Sequence, residues 1–423
     1  MPNADDPPAN DAPGLKTYTE SVASGFYNRH LGGLSGKHDN VRTYWEDPLT
    51  RIFLRPHIGR ISSQCRKANR GVRILDLGCG AGQGYELLTR IEQKDLNLDE
   101  EPRFVLPASE IERYLGLDIS YDMVEQGRQN FGGTANVDFE QADLSREISV
   151  LKSEPAFDIY FSSYGPLSHL DTPSMTRCLG DIVRHARSGA LIVMDLLGRY
   201  SPEWPVHWES TNDDPMLLYS MSYLHEGEDR QNGEVEQFPM RTWTGDEVHE
   251  LCREIGGQNG VSLNVVASLD RSMFVGRHID TREYGSDLPR LRNMVNHLLE
   301  LNVRTKLDRL RVDYRPNGND ELDRYFGELA MCWTEVVDFT LERVQGNRID
   351  LVALDGWRYF PPQLQTVLMT MDRVIDSVAW IDQGDVRANI LEPQLAYAFR
   401  RLEYTMQRGQ GYGHGLVSIL QVE

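Results

Sequence analysis

Three acids and a run of glycines in the first half of the chain have the types and spacing to hold a polar small molecule. Asp76 closes a short β-branched run and is followed by Gly78-Cys79-Gly80-Ala81-Gly82. Glycines at such a turn let the backbone approach a ligand closely and adopt positive φ. A helix starting directly after them offers free N–H groups. A carboxylate at Asp76 suits a cationic amino group and would repel a pyrophosphate. Asp118 ends a second apolar run, RYLGL, and Asp143 follows a third, VDFEQ. One carboxylate in the Asp118 place can accept from two vicinal hydroxyls. After a fourth run, FDIYFS, the loop from Ser163 to Leu170 carries Tyr164 and His169, groups able to hold or move a proton.

The elements that must place these residues are legible in the periodicity. Val72 to Leu77 reads as a strand, the glycines as a tight turn, and Tyr85, Leu87, Leu88 and Ile91 as the apolar positions of the next helix. That is the opening of a βαβ unit. Further strands are expected at 113–117, 137–141, 157–162 and 190–195, giving an α/β doubly wound sheet whose ligands bind beyond the carboxyl ends of the strands. Asp118 follows Gly80 by 38 residues, where about 20 is usual. The excess lies in EQKDLNLDEEPRFVLPASE, read as a polar surface insertion.

The string Asp76-Leu77-Gly78-Cys79-Gly80-Ala81-Gly82 resembles the D-x-G-x-G-x-G signature of class I S-adenosylmethionine (SAM)-dependent methyltransferases. A dinucleotide turn would need a third glycine where Gln83 stands, so SAM is expected and NAD is not. The resemblance implies a Rossmann-like seven-stranded sheet. It also implies that Asp76, Gly78, Gly80 and Gly82 lie against the methionyl part of SAM, Asp118 and Ile119 at the ribose, and Asp143 and Leu144 by the adenine. Ser162 and the loop after it would face the methyl group. His169 and Tyr164 are the candidate catalytic residues, with His207 and His225 next. Tyr164, His169 and Tyr223 are candidate substrate contacts, and Tyr44, Trp45 and Arg51 a candidate cover over the cofactor.

The rest of the chain frames that core. Residues 1–16 are acidic and Pro-rich and read as a disordered tail without a signal peptide; 17–70 read as a helical cover, and 71–280 as the SAM-binding core. Within the core, MLLYSMSYLH and EVEQFPMRTW read as a hairpin about an Asn-Gly turn, holding Tyr219, Tyr223 and Phe238 over the pocket. Residues 281–408 show helical stripes such as Leu322, Phe326, Leu329, Trp333 and Val337. They form an expected insertion, because the last segment, within 409–423, has the composition of the missing seventh strand. That block either walls the pocket, with Trp357, Tyr359, Phe360 and His414 near its opening, or forms a homodimer surface. The net charge of −20 opposes nucleic acid and anionic membranes as partners. Five cysteines without paired or metal-ligand spacing fit a reducing cytoplasm, and no metal is expected. The expected activity is methyl transfer to a small-molecule acceptor by in-line displacement. The alternative is a SAM-binding partner protein with decayed catalysis that acts through its helices.

Overall fold

The computed structural model describes residues 12–28, 34, 36–94, 99, 101, 103–209, 215–224, 235–354, 356–378, 380–381 and 384–423. Residues 1–11 of the expected tail, the Asn-Gly turn near 232 and His225 lie outside them. Among the described residues no helix is long and apolar enough to cross a membrane.

Strands β1 (Val72–Leu77), β2 (Ile111–Asp118), β3 (Val137–Gln141), β4 (Ile159–Phe161) and β5 (Leu191–Gly198) pair in parallel in the order β3-β2-β1-β4-β5. The largely apolar, buried sequences of β1, β4 and β5 suit strands covered on both faces, whereas the edge strand β3 (VDFEQ) buries Phe139 alone. One side carries α2 (Asp47–Lys67) and α3 (Gln83–Thr89), and α4 (Tyr121–Phe131) and α5 (Thr172–His185) follow β2 and β4. Beyond β5, the last strand β9 (Gly415–Val422) runs antiparallel, with β8 (Leu263–Arg271) on its other edge. Seven strands therefore form the doubly wound core expected from the turn and its repeats.

Two more strands bring the sheet to nine. The short β4 ends at Phe161, opposite Val193. The edge of β5 that it vacates is taken by β7 (Gln237–Trp243) through Leu197 and Gly198, and β7 pairs with β6 (Met216–Ser220). The chain leaving β4 is thus free to bend into the loop that carries Tyr164 and His169. The hairpin arches beside that loop, and its Glu236 accepts from the N–H groups of Gly14 (3.1 Å) and Thr17 (2.8 Å). That carboxylate satisfies orphan donors at the start of α1 (Leu15–Ala23), where negative charge is also favoured by the helix dipole.

The helical block leaves the core after β8 and re-enters it at β9. Its longest helix, Asp320–Val344, buries Leu322, Phe326, Leu329, Trp333 and Val337, the stripe read from the sequence. Helices Pro362–Val378 and Glu392–Met406 pack against it, and Trp333 stacks on Phe399 at 4.0 Å. The same core takes in Val41, Trp45 and Leu49 of the N-terminal cover. Return to the sheet is fixed by buried Asp270, which accepts from the N–H groups of Gly411 (2.7 Å), Tyr412 (2.9 Å), Gln410 (3.1 Å) and Arg408 (3.2 Å).

Candidate functional site

At the carboxyl ends of the strands lies a cavity of about 280 Å³. Its floor is the glycine turn. Gly78 and Cys79 donate to the Leu117 carbonyl of β2 at 2.8 and 2.9 Å, and Gly80 donates to Asp118 Oδ2 at 2.8 Å. Gly80 has φ 52°, and a Cβ there would meet only Gln83 Oε1 at 3.4 Å and Tyr27 Cε1 at 3.9 Å. The space above it is open to a ligand, which is what close approach to a backbone requires. Gly78, at φ 69°, is closed instead: a Cβ would lie 2.2 Å from Pro166 Cβ. Gly78→Ala is expected to displace the loop after β4, costing about 1–3 kcal/mol and weakening ligand binding. Thermal melts with a binding titration check both effects.

Asp118 is held by two backbone N–H groups. Oδ2 takes the Gly80 N–H and Oδ1 the Ser120 N–H at 2.9 Å, while burial pushes its pKa up against those two bonds. Ile119 and Met123 continue the wall, and Asp143 and Leu144 stand at the same end. Asp143 Oδ1 accepts from the Ser145 N–H (2.8 Å) and hydroxyl (2.6 Å).

The opposite end is built by the loop after β4 and by the cover. Tyr164 sits at φ 64°, a costly conformation for a residue of its size. It is held by its N–H to Asp195 Oδ2 at 2.7 Å and by its phenol donating to Asp47 Oδ1. The guanidinium groups of Arg42 and Arg271 stand 3.3 and 4.1 Å from its ring. His169 stacks on Phe238 with centroids 5.2 Å apart, and its Nε2 is 3.0 Å from the Tyr18 hydroxyl. Burial, helped by the Lys37 cation, lowers its pKa to about 4, so the imidazole is neutral at pH 7. Among the described residues no group of three His, Cys, Asp or Glu is disposed to hold a metal ion.

Residues 74–189, from β1 to just before β5, match the methyltransferase-domain family. That stretch of the chain matches a methyltransferase domain. No curated protein matches the chain. Solved structures similar to it include a SAM-dependent methyltransferase from Clostridium acetobutylicum, 13% identical over 53% of this chain and 82% of that one, with TM-score 0.33. Another, from Mesorhizobium loti, is 18% identical over 47% and 77%, with TM-score 0.30. CalS10, an amino pentose methyltransferase from Micromonospora echinaspora, is 13% identical over 59% and 90%, with TM-score 0.32.

The residues of the cavity fit SAM on their own chemistry. The open space over Gly80 accommodates close contact, the Asp118 carboxylate keeps lone pairs for vicinal hydroxyls, and Ile119, Met123 and Leu144 offer an apolar slot.

Gly78, Gly80, Asp118, Ile119, Asp143, Leu144, Tyr164 and His169 all line the cavity; Asp76, Gly82, Ser162 and Tyr223 do not. Strand alternation turns Asp76 under the start of α3, where a Cβ on Gly84 would lie 2.1 Å from its Oδ2. It accepts from the Tyr114 phenol, its Oδ1 has no partner, and burial raises its pKa to about 7. A side chain facing that way does not meet a cationic group above the turn. Gly82 serves packing, since a Cβ would strike Phe131 at 2.6 Å. Ser162 is buried with its hydroxyl unpaired, below the wall. Tyr223 stands behind it, 5.5 Å from the His278 ring.

The cover residues differ from the sequence reading for one reason. Arg42–Glu46 is a π-turn ahead of α2, which shifts the helical register. Arg42 therefore faces the cavity, while Trp45 packs on Trp333 at 6.2 Å, Tyr44 is exposed and Arg51 lines a neighbouring cavity. His207 lies off the wall, and no described residue of 281–408 is on it. His414, expected near the opening, instead pairs with buried Glu203. The periodicity contains no signal for Tyr18, Tyr27, Lys37 or His38, which do line the cavity.

Proposed function

We propose that this chain transfers the methyl group of SAM to a small-molecule acceptor. The observation that carries the reading is continuity: one cavity joins the Asp118–Asp143 end to the Tyr18–His169–Lys37 end. Its volume and partly apolar wall suit small molecules better than a macromolecular surface.

When bound, SAM supplies an electrophilic methyl group on its sulfonium. The chain's own contribution is alignment and exclusion of water, a proximity effect. Gly80 and Asp118 would hold the nucleoside, and Ile119, Met123, Asp143 and Leu144 would receive the adenine. Tyr164, with its phenol committed to Asp47, positions the loop after β4. Tyr18 and neutral His169, 3.0 Å apart, form the polar contact for the acceptor, whose hydroxyl or amine can hydrogen-bond to them.

Calorimetric titration of the full chain with SAM, followed by a screen of small molecules for the mass gain of one methyl group, tests the proposal. Absence of SAM binding by folded protein would overturn it.

A pH effect follows from His169. Its folded pKa of about 4 lies below the ordinary 6.5, so the unfolded chain binds the extra proton first as pH falls. The stability tied to neutral His169 is present above pH 6.5 and drains away towards pH 4, to a total of about 3 kcal/mol. His38 and His278, also lowered by burial, act in the same sense. Melting midpoints should fall from pH 6.5 to pH 5, and His169→Phe should make that fall shallower.

A further inference from the structure

One corner of the cavity presents side-chain nitrogens that its own carboxylates leave without hydrogen bonds. Lys37, His38 and Arg42 line it. The carboxylates of the same stretch are already committed. Asp39 is 2.7 Å and Glu46 2.7 Å from Arg292, with Arg277 at 3.7 and 3.4 Å. Asp47 accepts the Tyr164 phenol and stands 3.4 Å from Arg42 Nε. Among the described residues Lys37 has no ion pair; its Nζ lies 5.2 Å from the centroid of the Tyr27 ring. His38 Nε2 and Arg42 Nε are buried without a hydrogen-bond partner.

The placing of Lys37 is imposed by the fold. Arg277 donates to the carbonyl of Gly36 at 3.0 Å and to that of Lys37 at 3.2 Å. Arg277 is itself buried between Asp39 and Glu46, so the backbone of Lys37 is fastened while its side chain faces the cavity. Burial and the cations of Arg42 and Arg277 hold the lysine pKa well below its usual range. A negative group in the corner would reverse that balance and occupy the unpaired donors. Tyr18, Tyr27 and Tyr164 on the neighbouring wall suit a flat apolar body attached to it.

We propose that the methyl acceptor is a small carboxylate with a flat apolar body, its carboxylate received in this corner with Lys37 as counter-ion. This rests on the methyltransferase reading above. The carboxylate of the cofactor itself is the other source of the same chemistry, and the test separates the two.

The probes are S-adenosylhomocysteine, 5′-methylthioadenosine (the same thioether nucleoside without a carboxylate), benzoate and benzamide, titrated calorimetrically into the full chain. With the cofactor site saturated by S-adenosylhomocysteine, wild-type protein should bind benzoate at least about tenfold more tightly than benzamide. Lys37→Met should remove that preference, and Lys37→Arg should keep most of it. S-adenosylhomocysteine should bind wild type and Lys37→Met about equally, which also shows that the variant is folded. Equal treatment of benzoate and benzamide by wild type, or an unchanged preference in Lys37→Met, would overturn the proposal. So would a loss in Lys37→Met confined to S-adenosylhomocysteine and absent for methylthioadenosine, which would give Lys37 to the cofactor. Failure of wild type to bind S-adenosylhomocysteine at all would overturn the underlying reading and this inference with it.

Discussion

Asp118→Ala is expected to lower SAM affinity by at least about a hundredfold, because two kinds of interaction are lost together. In the proposed function the carboxylate accepts from the vicinal hydroxyls, and it also ties the glycine turn to the start of α4 through Gly80 and Ser120. Without it, both N–H groups lose their partner and the floor of the cavity loses its fixed position. Asp118→Asn keeps one acceptor oxygen and should lose about tenfold, since a neutral acceptor forms weaker bonds than a charged one. Burial already pushes the Asp118 pKa up, so binding should also weaken as pH falls towards the acidic range. Calorimetry on folded wild-type and variant protein, with NAD as the control, decides the matter. Alanine protein that binds SAM within about threefold of wild type would remove Asp118 from the site.

The fold class is legible because it depends on short-range signals: a β-branched run, a glycine turn and a following helix at one place. The seventh strand is a weaker signal, since LVSILQV is strand-like only by composition. Its neighbours β5 and β8 precede it by more than a hundred residues. What sequence spacing does not contain is side-chain direction at special backbone. Asp76 has the right type and place for a cofactor contact, yet alternation along β1 turns it beneath α3. Arg42 lies in the aromatic and basic segment that draws attention, but the π-turn moves it into the cavity and moves Trp45 out. Tyr164 has a phenol in the right loop, and only the fold reveals Asp47 already accepting from it. Lys37 sits in a turn without periodicity, so nothing local distinguishes it from a solvated surface lysine. The stripes of the helical block are core whether the block walls the pocket or forms a homodimer surface, so they say nothing of its role; Trp333 and Phe399 share their core with Trp45 of the cover.

That shared core raises the question of how a block with no described residue on the cavity wall can matter to the cavity. The contact that answers it is Arg292, from helix Leu291–Leu298 at the start of the block. Its guanidinium clamps Asp39 bidentately at 2.7 and 2.8 Å, reaches Glu46 at 2.7 Å and donates to the Val275 carbonyl at 2.7 Å. All three charged side chains are nearly inaccessible. Burial alone would raise the two carboxyl pKa values, and the arginines outweigh it and hold both below the usual range. Arg292→Met leaves two buried carboxylates to share Arg277, a change expected to cost about 3–5 kcal/mol. That is a large part of the roughly 5–15 kcal/mol by which proteins are usually stable. The damage should not stay in the block, because Asp39 and Glu46 flank Lys37 and Arg42 and seat the cover on the cavity. Denaturant melts should show the lost stability, and SAM titration of the protein that remains folded should show weaker binding although Arg292 touches no part of the cavity. An unchanged midpoint would mean that the cluster contributes little beyond the packing around it. A lowered midpoint with undiminished SAM affinity would mean that the cover closes without help from the helices, leaving them a task outside methyl transfer.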